Sequence, residues 1–417
     1  MGLFVIARAL REKLGDDLYD DLRQDDSLCE SISRQLGNEV GGEIDFYDLD
    51  ESFKNAPRKT GRRERRQKLL ARLSDLDTKY LQELLRTPEG QDWLGDKEGR
   101  QNVHEFLAAQ RDEEDQATTN QKQLVDEEIR KWLGLSEKEP LTDEHRHQIS
   151  ELGLPYEFND EGTPYLAGLG ALKTLYLLNT QVGDKGIQHL AGLEALQILH
   201  LSNTQIGDDG VQHLAGLEAL QMLYLMNTQI GDKGLQHLAR LEALHTLDLM
   251  NTRVGDKGLQ YLARLEALRN LDLSQTQIGD EGLQHLAGLE ALQNLDLTNT
   301  QVSDEGLKHI AKLEDLQVLY LTNTQVGDEG LQHLTDLKAL QNLNLTNTQI
   351  GDKGLQHLAD LKALQNLNLT NTQVGDKGLQ HLAGLKALQM LDLGSTQVGS
   401  EGLEFISLAL PRCHVLL

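Results

Sequence analysis

The feature that most constrains the fold of this 417-residue chain is a 24-residue unit that recurs ten times in its C-terminal part. A leucine marks the same place in every copy: Leu175, Leu199, Leu223, Leu247, Leu271, Leu295, Leu319, Leu343, Leu367 and Leu391. A unit this short cannot bury its own apolar face, so successive units must stack and share one core. Such a stack builds a long surface rather than a closed pocket. The repeat therefore predicts binding rather than catalysis.

Within one unit the pattern predicts a short strand, a turn and a short helix. Alternating leucines predict a strand with one buried face: Leu172, Leu175 and Leu177. Apolar residues at helical spacing then predict an inward-facing helix: Ile187, Leu190, Ala191 and Leu193. Between these two segments, we expect Gly183 to permit a tight turn and Asp184 to cap the amides of the helix that follows it.

A threonine follows the strand in all ten copies, from Thr180 to Thr396. Stacked turns lie about 4.8 Å apart, so we expect these hydroxyls to form a ladder in the interior that satisfies loop carbonyls and amides. Such a ladder would matter because each buried unpaired polar group costs about 1–3 kcal/mol.

The segment Leu172-x-x-Leu175-x-Leu177-x-x-Thr180-x-Val182 resembles the strand segment of leucine-rich repeats, with threonine where asparagine or cysteine is commoner. The helical half, Asp184-x-Gly186-Ile187-x-x-Leu190-x-x-Leu193, is similar to the ribonuclease-inhibitor-like and bacterial variants. This resemblance extends over residues 158–417. It implies an α/β solenoid in the form of an arc, with parallel strands on the concave side and helices on the convex side. For most family members it also implies a protein ligand on the concave face.

The remainder of the chain lacks the repeat. Residues 1–140 are predicted to form a mainly helical domain of unrecognised family, followed by a linker or capping helix at 141–157 and the repeat domain at 158–417. Helical periodicity supports several segments: Leu3–Leu22, Gln67–Leu85, Arg100–Arg111, Gln121–Leu133 and Asp143–Leu152. End caps of the array are expected at Phe158–Leu169 and in a terminal strand that contains Val415.

In a near-uniform array, specificity must come from the exposed strand positions that vary between units. Early units carry apolar and aromatic side chains there, which we call the aromatic–methionine patch: Tyr176, Leu178, Ile198, His200, Met222, Tyr224, Met226 and Met250. Three carboxylates, the acidic row, overlap its end: Asp248, Asp272 and Asp296. A small apolar spot, Val318 and Tyr320, follows. Tyrosine and methionine are frequent interface anchors, so the patch is predicted to bind a partner protein or the chain's own N-terminal domain.

The acidic row allows three interpretations, namely a binding site for a basic segment, a solvated face without a ligand, and a weaker calcium hypothesis. Calcium is disfavoured because carboxylates on successive strands lack a turn that wraps around one ion.

Histidines also recur on the helical side: His189, His213, His237, His285, His309, His333, His357 and His381. They lack companion cysteines or carboxylates, so a structural role is favoured over metal binding or pH sensing. No metal and no cofactor are predicted.

Seven basic residues of the N-terminal region form what we call the basic strip: Arg58, Lys59, Arg62, Arg63, Arg65, Arg66 and Lys68. Such a cluster is typical of a nuclear-targeting signal, a docking site for an acidic partner, a nucleic-acid contact or a solvated loop. A further hypothesis is that the basic strip contacts the acidic row of the same chain.

The composition limits the function classes. A formal net charge of −26 argues against a general nucleic-acid or anionic-membrane binder. No phosphate-loop pattern, metal-ligand spacing or nucleophile elbow occurs, so the repeat region is predicted to be non-enzymatic, with the N-terminal domain left open. Without a recognisable signal peptide or membrane span, a cytoplasmic location is predicted, and secretion without a cleaved signal is the alternative.

Together these patterns predict a non-enzymatic interaction protein, in which the array recognises a protein partner and the N-terminal helical domain acts as an adaptor or effector module. One alternative is a bacterial effector or toxin whose activity lies in the N-terminal domain, with the repeats recognising the substrate or inhibiting that activity. A second alternative is a purely structural scaffold. The oligomeric state is not predicted.

Overall fold

The structure, a computed structural model, describes residues 116–136 and 138–417. Residues Thr118–Leu417 form one compact unit. The predicted helices that precede residue 116 and the basic strip lie outside the described residues.

In the described part of the chain, twelve short parallel strands form one sheet in sequence order. They are β1 Glu151–Gly153, β2 Thr174–Tyr176, β3 Ile198–His200, β4 Met222–Tyr224, β5 Thr246–Asp248, β6 Asn270–Asp272, β7 Asn294–Asp296, β8 Val318–Tyr320, β9 Asn342–Asn344, β10 Asn366–Asn368, β11 Met390–Asp392 and β12 His414–Leu416. Equivalent residues of successive units are paired, as Leu175 is with Leu199. Because each strand pairs only with the strands before and after it, the array is a solenoid.

Helix α1 spans residues 116–133 in the described chain. A short helix then precedes the array and one follows each strand from β2 to β11: α2 Asp143–Arg146, α3 Asp184–Ile187, α4 Asp208–Val211, α5 Asp232–Leu238, α6 Asp256–Leu259, α7 Asp280–Leu283, α8 Asp304–Ile310, α9 Asp328–Leu331, α10 Asp352–Leu355, α11 Asp376–Leu379 and α12 Ser400–Ala409. In most units the α-helical turn continues as a 3₁₀ turn, such as Gln188–Leu190. In the first unit a 3₁₀ turn at Thr163–Leu166 takes the place of the helix.

One continuous core of leucines runs between the sheet and the helices. The central residue of each strand from Leu175 to Leu391 is at most 2% exposed. Burying one such side chain contributes about 1.5–3 kcal/mol. Tyr176 and Tyr224 lie outside this core and the threonine row lies within it. The predicted α/β solenoid and its register are therefore confirmed.

Helix α1 covers the N-terminal end of the leucine core. Its Val125 and Ile129 are fully buried in that core. The Gln121 side chain joins the helix to the first unit, since its Nε2 donates to the carbonyl of Glu157 at 2.9 Å and its Oε1 accepts from the amide of Asn159 at 3.1 Å. The helix predicted at 121–133 is thus present and packs as a cap of the repeats. The domain division at residues 140 and 157 stays a prediction, because residues 1–115 are not described.

The helix predicted at Asp143–Leu152 is wrong beyond its first turn. Helix α2 ends at Arg146, and Glu151–Gly153 forms strand β1. Leu152 pairs with Leu175 and is 2% exposed, so it adds one more leucine to the core. Pairing with β2 overrides the local helical pattern, because intrinsic helix propensity is a weak preference.

The aspartate at the start of each helix caps the helix of the next unit. Oδ1 of Asp184 accepts a hydrogen bond from the amide of Gly207 at 2.6 Å. The equivalent bond recurs throughout the described array, from the Asp160–Gly183 pair to the Asp376–Gly399 pair. The expectation that Asp184 caps its own helix is wrong, because the N-cap position there belongs to Gly183 and Asp184 is already helical.

Most units contain a Gly-Asp-x-Gly segment, and its second glycine leaves space for the aspartate of the preceding unit. A Cβ atom built on Gly210 would lie 2.5 Å from Oδ1 of Asp184. The first glycine is less demanding, since the backbone of Gly183 is extended, with φ of −124°, and Ser303 takes the equivalent place in another unit. The tight-turn role expected for Gly183 is therefore wrong. The strict requirement is at the second glycine, where adjacent units meet.

The threonine row is buried, but each hydroxyl bonds within its own unit. Oγ1 of Thr180 donates to the carbonyl of Leu177 at 2.6 Å, and the equivalent bond recurs up to Thr396. The expectation that these hydroxyls satisfy loop carbonyls in the interior is confirmed, whereas a threonine ladder between units is wrong. The residues just before the threonines form that ladder instead: Nδ2 of Asn203 donates to Oδ1 of Asn179 at 2.8 Å.

The asparagines of this ladder have left-handed backbone conformations, with φ between 52° and 60°. Asparagine tolerates this region better than most residues. Its amide group also provides one donor and one acceptor along the array axis, so the same side chain satisfies both neighbours.

Replacing Gln275 with asparagine is expected to stabilise the array by about 1 kcal/mol. Gln275 has φ of 57° at a ladder position, and the described hydrogen bonds of the ladder stop at Asn251 and resume at Asn299. An asparagine would complete both missing bonds. Urea unfolding measures the gain, and Asn323→Gln is the reverse control, expected to lose a similar amount. Equal stability of the Gln275→Asn variant and the natural chain would contradict a stabilising ladder.

Candidate functional site

The predicted binding residues lie on the outer sheet face, which we define as the side of the strands that points away from the leucine core. In strands β2 to β7 the central residue is buried, and the residues on both sides of it are partly exposed. The third strand positions are in register: Tyr176, His200, Tyr224, Asp248, Asp272, Asp296 and Tyr320. The structure thus brings the aromatic–methionine patch, the acidic row and the Tyr320 spot together on one surface.

Three rings from neighbouring strands form a stack within the patch. The ring centroids of Tyr176 and His200 are 6.0 Å apart, and those of His200 and Tyr224 are 4.2 Å apart with an interplanar angle of 10°. The strand spacing of about 4.8 Å places equivalent side chains at stacking distance. Burial lowers the pKa of His200, which favours its neutral form in the stack. The stack is therefore a preformed apolar platform.

The other apolar side chains surround this platform. Leu178 is 39% exposed, whereas Ile198, Met226 and Met250 are half-buried. Tyr320, which is also 39% exposed, lies beyond the acidic row on β8. The hydroxyl of Tyr224 donates to the sulfur of Met222 at 3.7 Å. Burial raises the pKa of the Tyr224 phenol, and the neighbouring Asp248 raises it further.

Two polar atoms in or next to the patch have no hydrogen-bond partner among the described residues. These are Nδ1 of His200 and Oγ of Ser202, and the Ser202 residue is 1% exposed. In a later unit the equivalent serine is satisfied, since Oγ of Ser274 donates to Asp272 at 2.6 Å. Sequence reasoning missed Ser202. The signal was available, because a histidine stands two residues before it where other units supply a carboxylate or an amide acceptor.

The acidic row has a structural role that the sequence did not reveal. Oδ1 of each aspartate accepts a hydrogen bond at 2.8–3.0 Å from the backbone amide two residues later: Asp248 from Met250, Asp272 from Ser274 and Asp296 from Thr298. Asn344 and Asn368 accept the same bond in later units. Any short side-chain acceptor satisfies this position, so the negative charge is not needed for folding.

The three carboxylates form no ion pair with any of the residues that the structure describes. Burial raises the pKa of Asp248, and repulsion from Asp272 and Asp296 raises it further. Burial also raises the pKa of Asp296, with repulsion from Asp272 in addition. The ion pairs recorded in the described chain involve other residues. The acidic row is therefore a negative surface without a cation from the described residues.

Asparagines at the first position of several strands form hydrogen bonds with one another. Nδ2 of Asn366 donates to Oδ1 of Asn342 at 2.5 Å, and on the strands of the acidic row Nδ2 of Asn294 donates to Oδ1 of Asn270. Because these amides bond to one another along the array, they are less available to a partner than the orphaned atoms of the patch.

The predicted histidine row lies on the helical side, and its members are half-buried or exposed. Among the described residues, no three His, Cys, Asp or Glu side chains converge as they would around a metal ion. Burial lowers the pKa of His333.

None of the helices described here has the length and apolar character that crossing a bilayer requires.

Comparisons with known proteins identify the family. A family model described as a leucine-rich repeat region matches residues 226–412, and a second leucine-rich repeat model matches residues 195–215. The chain contains a leucine-rich repeat region. The resemblance seen in the sequence is thereby confirmed, and the paired strands extend this leucine-rich repeat array from Glu151 to Leu416.

Solved structures share the fold at low sequence identity. An internalin, InlF, from Listeria monocytogenes is 23% identical with a TM-score of 0.50, over 71% of this chain and 96% of that chain. A TDR receptor is 18% identical with a TM-score of 0.51, over 66% of this chain and 48% of that chain. The mouse RP105/MD-1 complex matches at 22% identity and a TM-score of 0.52, over 65% of this chain and 50% of that chain.

This leucine-rich repeat chain therefore spans about half the length of the TDR receptor and RP105/MD-1 chains that it matches. At these identities the likeness concerns the fold alone. No protein of curated function matches the sequence.

Proposed function

We propose that this leucine-rich repeat protein recognises a protein partner with the outer sheet face of its early units, the face expected to be concave. The fold is a scaffold typical of protein recognition, and such arrays generally bind rather than catalyse. The observation that carries the proposal is the preformed Tyr176–His200–Tyr224 stack beside a carboxylate row that has no cation from the described residues. Apolar anchors next to charged groups are the usual composition of a recognition surface.

The position of this surface within the array also supports the proposal. The inward positions repeat almost without change, because they build the shared core. The outer positions change from aromatic to acidic to amide residues along the strands. A purely structural scaffold has no need for such zoning, so recognition accounts for the variation better.

The N-terminal region completes the proposal as an adaptor or effector module that the array directs to its target. Two features support this role: the N-terminal region lacks the repeat, and it carries the basic strip in a chain of net charge −26. A cytoplasmic location, predicted from the sequence, belongs to the same proposal.

The test is capture of partner proteins by the full chain and by two variants of it. Tyr176→Glu/Tyr224→Glu is expected to weaken partner binding by roughly thirtyfold or more, because central aromatic anchors carry most of the binding energy. The matched control, Asn342→Glu/Asn366→Glu, changes the same face in later units and is expected to bind normally. Circular dichroism confirms that both variants are folded. A partner that binds the tyrosine variant as tightly as the natural chain would disprove recognition at this face.

A further inference from the structure

We propose that the partner presents a basic, extended peptide segment that crosses strands β3 to β7, with an apolar or aromatic side chain on the ring stack and arginine or lysine side chains on the acidic row. This inference rests on the proposed function, because it specifies the chemistry of the partner at the same face.

The negative charge of the outer sheet face favours a positively charged partner segment. Oδ1 of each acidic-row residue accepts a hydrogen bond from a backbone amide, whereas the described hydrogen bonds leave Oδ2 of Asp248 and of Asp272 without a donor. The three carboxylates occupy equivalent positions on neighbouring strands. Burial raises the pKa of Asp248, and repulsion from Asp272 and Asp296 raises it further. An arginine or lysine of a partner would remove this repulsion and supply the missing donors. An acidic segment would instead add to the repulsion.

The buried orphan atoms of the patch indicate a ligand independently of the charge. Ser202 is 1% exposed, and neither its Oγ nor Nδ1 of His200 on the same strand end has a hydrogen-bond partner in the described part of the chain. Leaving such groups unpaired costs about 1–3 kcal/mol each. The peptide backbone of an extended segment carries both N–H and C=O groups, so it can satisfy both atoms without constraining its side-chain sequence.

The ring stack and the acidic row adjoin at Tyr224, which is paired with Asp248. An aromatic ring beside a carboxylate favours a guanidinium or an ammonium group, which interacts with the ring face and the carboxylate together. The transition from apolar to acidic along the strands therefore matches a segment in which an apolar residue precedes or follows basic ones.

The strand spacing sets the spacing of the peptide residues. Tyr224 and Asp296 are three strands apart, which is about 14 Å. In an extended peptide, side chains on one face repeat every two residues, about 6.7 Å, so four residues span about 13 Å. Basic residues two and four positions from the apolar residue therefore face the acidic row.

Later units of the chain show which substitution removes the negative charge of the acidic row without disturbing the fold. Asn344 and Asn368 occupy the acidic-row position in later units and accept the same amide hydrogen bond. Asp272→Asn is therefore expected to fold normally. Asp392 accepts the equivalent bond from Gly394 far from the patch, so Asp392→Asn is the matched control.

The experiment selects a phage-displayed library of random dodecapeptides on the full chain and measures the affinities of enriched peptides by fluorescence anisotropy. Enriched sequences are expected to share an apolar or aromatic residue with basic residues two and four positions away on one side. Asp272→Asn is expected to weaken their binding about fivefold and Asp392→Asn to leave it unchanged. Ser202→Ala is expected to weaken binding as well, whereas an orphan without a ligand role would leave the affinity unchanged.

The outcomes separate this inference from the proposed function. Enriched peptides that bind the outer sheet face, as judged by the Tyr176→Glu/Tyr224→Glu variant, but ignore the aspartates would overturn the basic-segment inference and leave recognition at this face intact. Peptides that bind the tyrosine variant equally well would count against both. A library that yields no enriched peptide would overturn the extended-peptide inference, while the capture experiment judges the face separately.

One further variant distinguishes an external partner from the chain's own basic strip. Neutralising that strip, Arg62→Gln/Arg63→Gln/Arg65→Gln/Arg66→Gln, is expected to leave the peptide affinity unchanged. An increase would mean that the strip itself occupies the acidic row, which would overturn the assignment to a partner.

Discussion

Gly282→Ala is expected to destabilise the array by about 2–3 kcal/mol, the cost typical of overpacking a tightly packed site. A Cβ atom there would lie 2.5 Å from Oδ1 of Asp256 and 3.1 Å from its Cα. The same Oδ1 accepts the amide hydrogen bond of Gly279 at 2.7 Å, so moving the carboxylate away would also uncap the helix. Urea unfolding of the full chain, followed by circular dichroism, measures the loss.

Gly288→Ala is the matched control for this prediction. Gly288 belongs to the same repeat, and a Cβ atom there would meet nothing within 4 Å. Its replacement is expected to be neutral or slightly stabilising, because alanine restricts the unfolded chain. The Asp256→Ala background provides a second check, since the cost of Gly282→Ala should shrink there. Equal losses at the two glycines would show that the contact between units is not the cause.

Ile129→Ala is expected to cost about 3 kcal/mol, within the range for truncating a large buried aliphatic side chain. Ile129 is fully buried where helix α1 covers the first leucines of the array. A solenoid needs such a cap, because its terminal unit otherwise exposes an apolar face to water. The loss is measured by urea unfolding, together with binding of an apolar dye to the exposed end of the core.

Lys122→Ala on the same helix is the control, because Lys122 is exposed. It is expected to change the free energy of unfolding by less than about 0.5 kcal/mol. If the Ile129 and Lys122 variants unfold alike, helix α1 does not serve as the cap.

The Gly282 prediction follows from contacts that repeat between units, whereas the Ile129 prediction concerns the end of the array, where no further unit covers the core. Each interface adds the same aspartate–amide bond and the same leucine contacts. In an array of this kind stability is close to a sum over units and their interfaces. A single interface defect in the middle of the array is therefore expected to weaken coupling between the units on its two sides.

The candidate site was partly accessible from the sequence. The residues of the aromatic–methionine patch and the acidic row could be selected as variable outward positions, and the structure places them on one face. Three features could not be selected: the ring stack, the orphaned atoms of His200 and Ser202, and the hydrogen bond that the amide of Ser274 donates to Asp272. Those features depend on side-chain orientation across neighbouring strands, which the residue pattern does not contain.

The sequence by itself determined the solenoid, the leucine core and the side of each strand that faces outward, because a strict period of 24 residues brings equivalent positions next to one another. Only the tertiary structure decided where the polar side chains bond. Asp184 caps the next unit, Thr180 bonds in its own unit, and Asn179 begins the ladder. Because the copies are nearly identical, a hydrogen-bond partner within the same unit and the equivalent residue of the next unit have the same neighbouring residues, so the sequence cannot distinguish the two. Stacking alone distinguishes them, because it fixes which of the two lies within hydrogen-bonding distance.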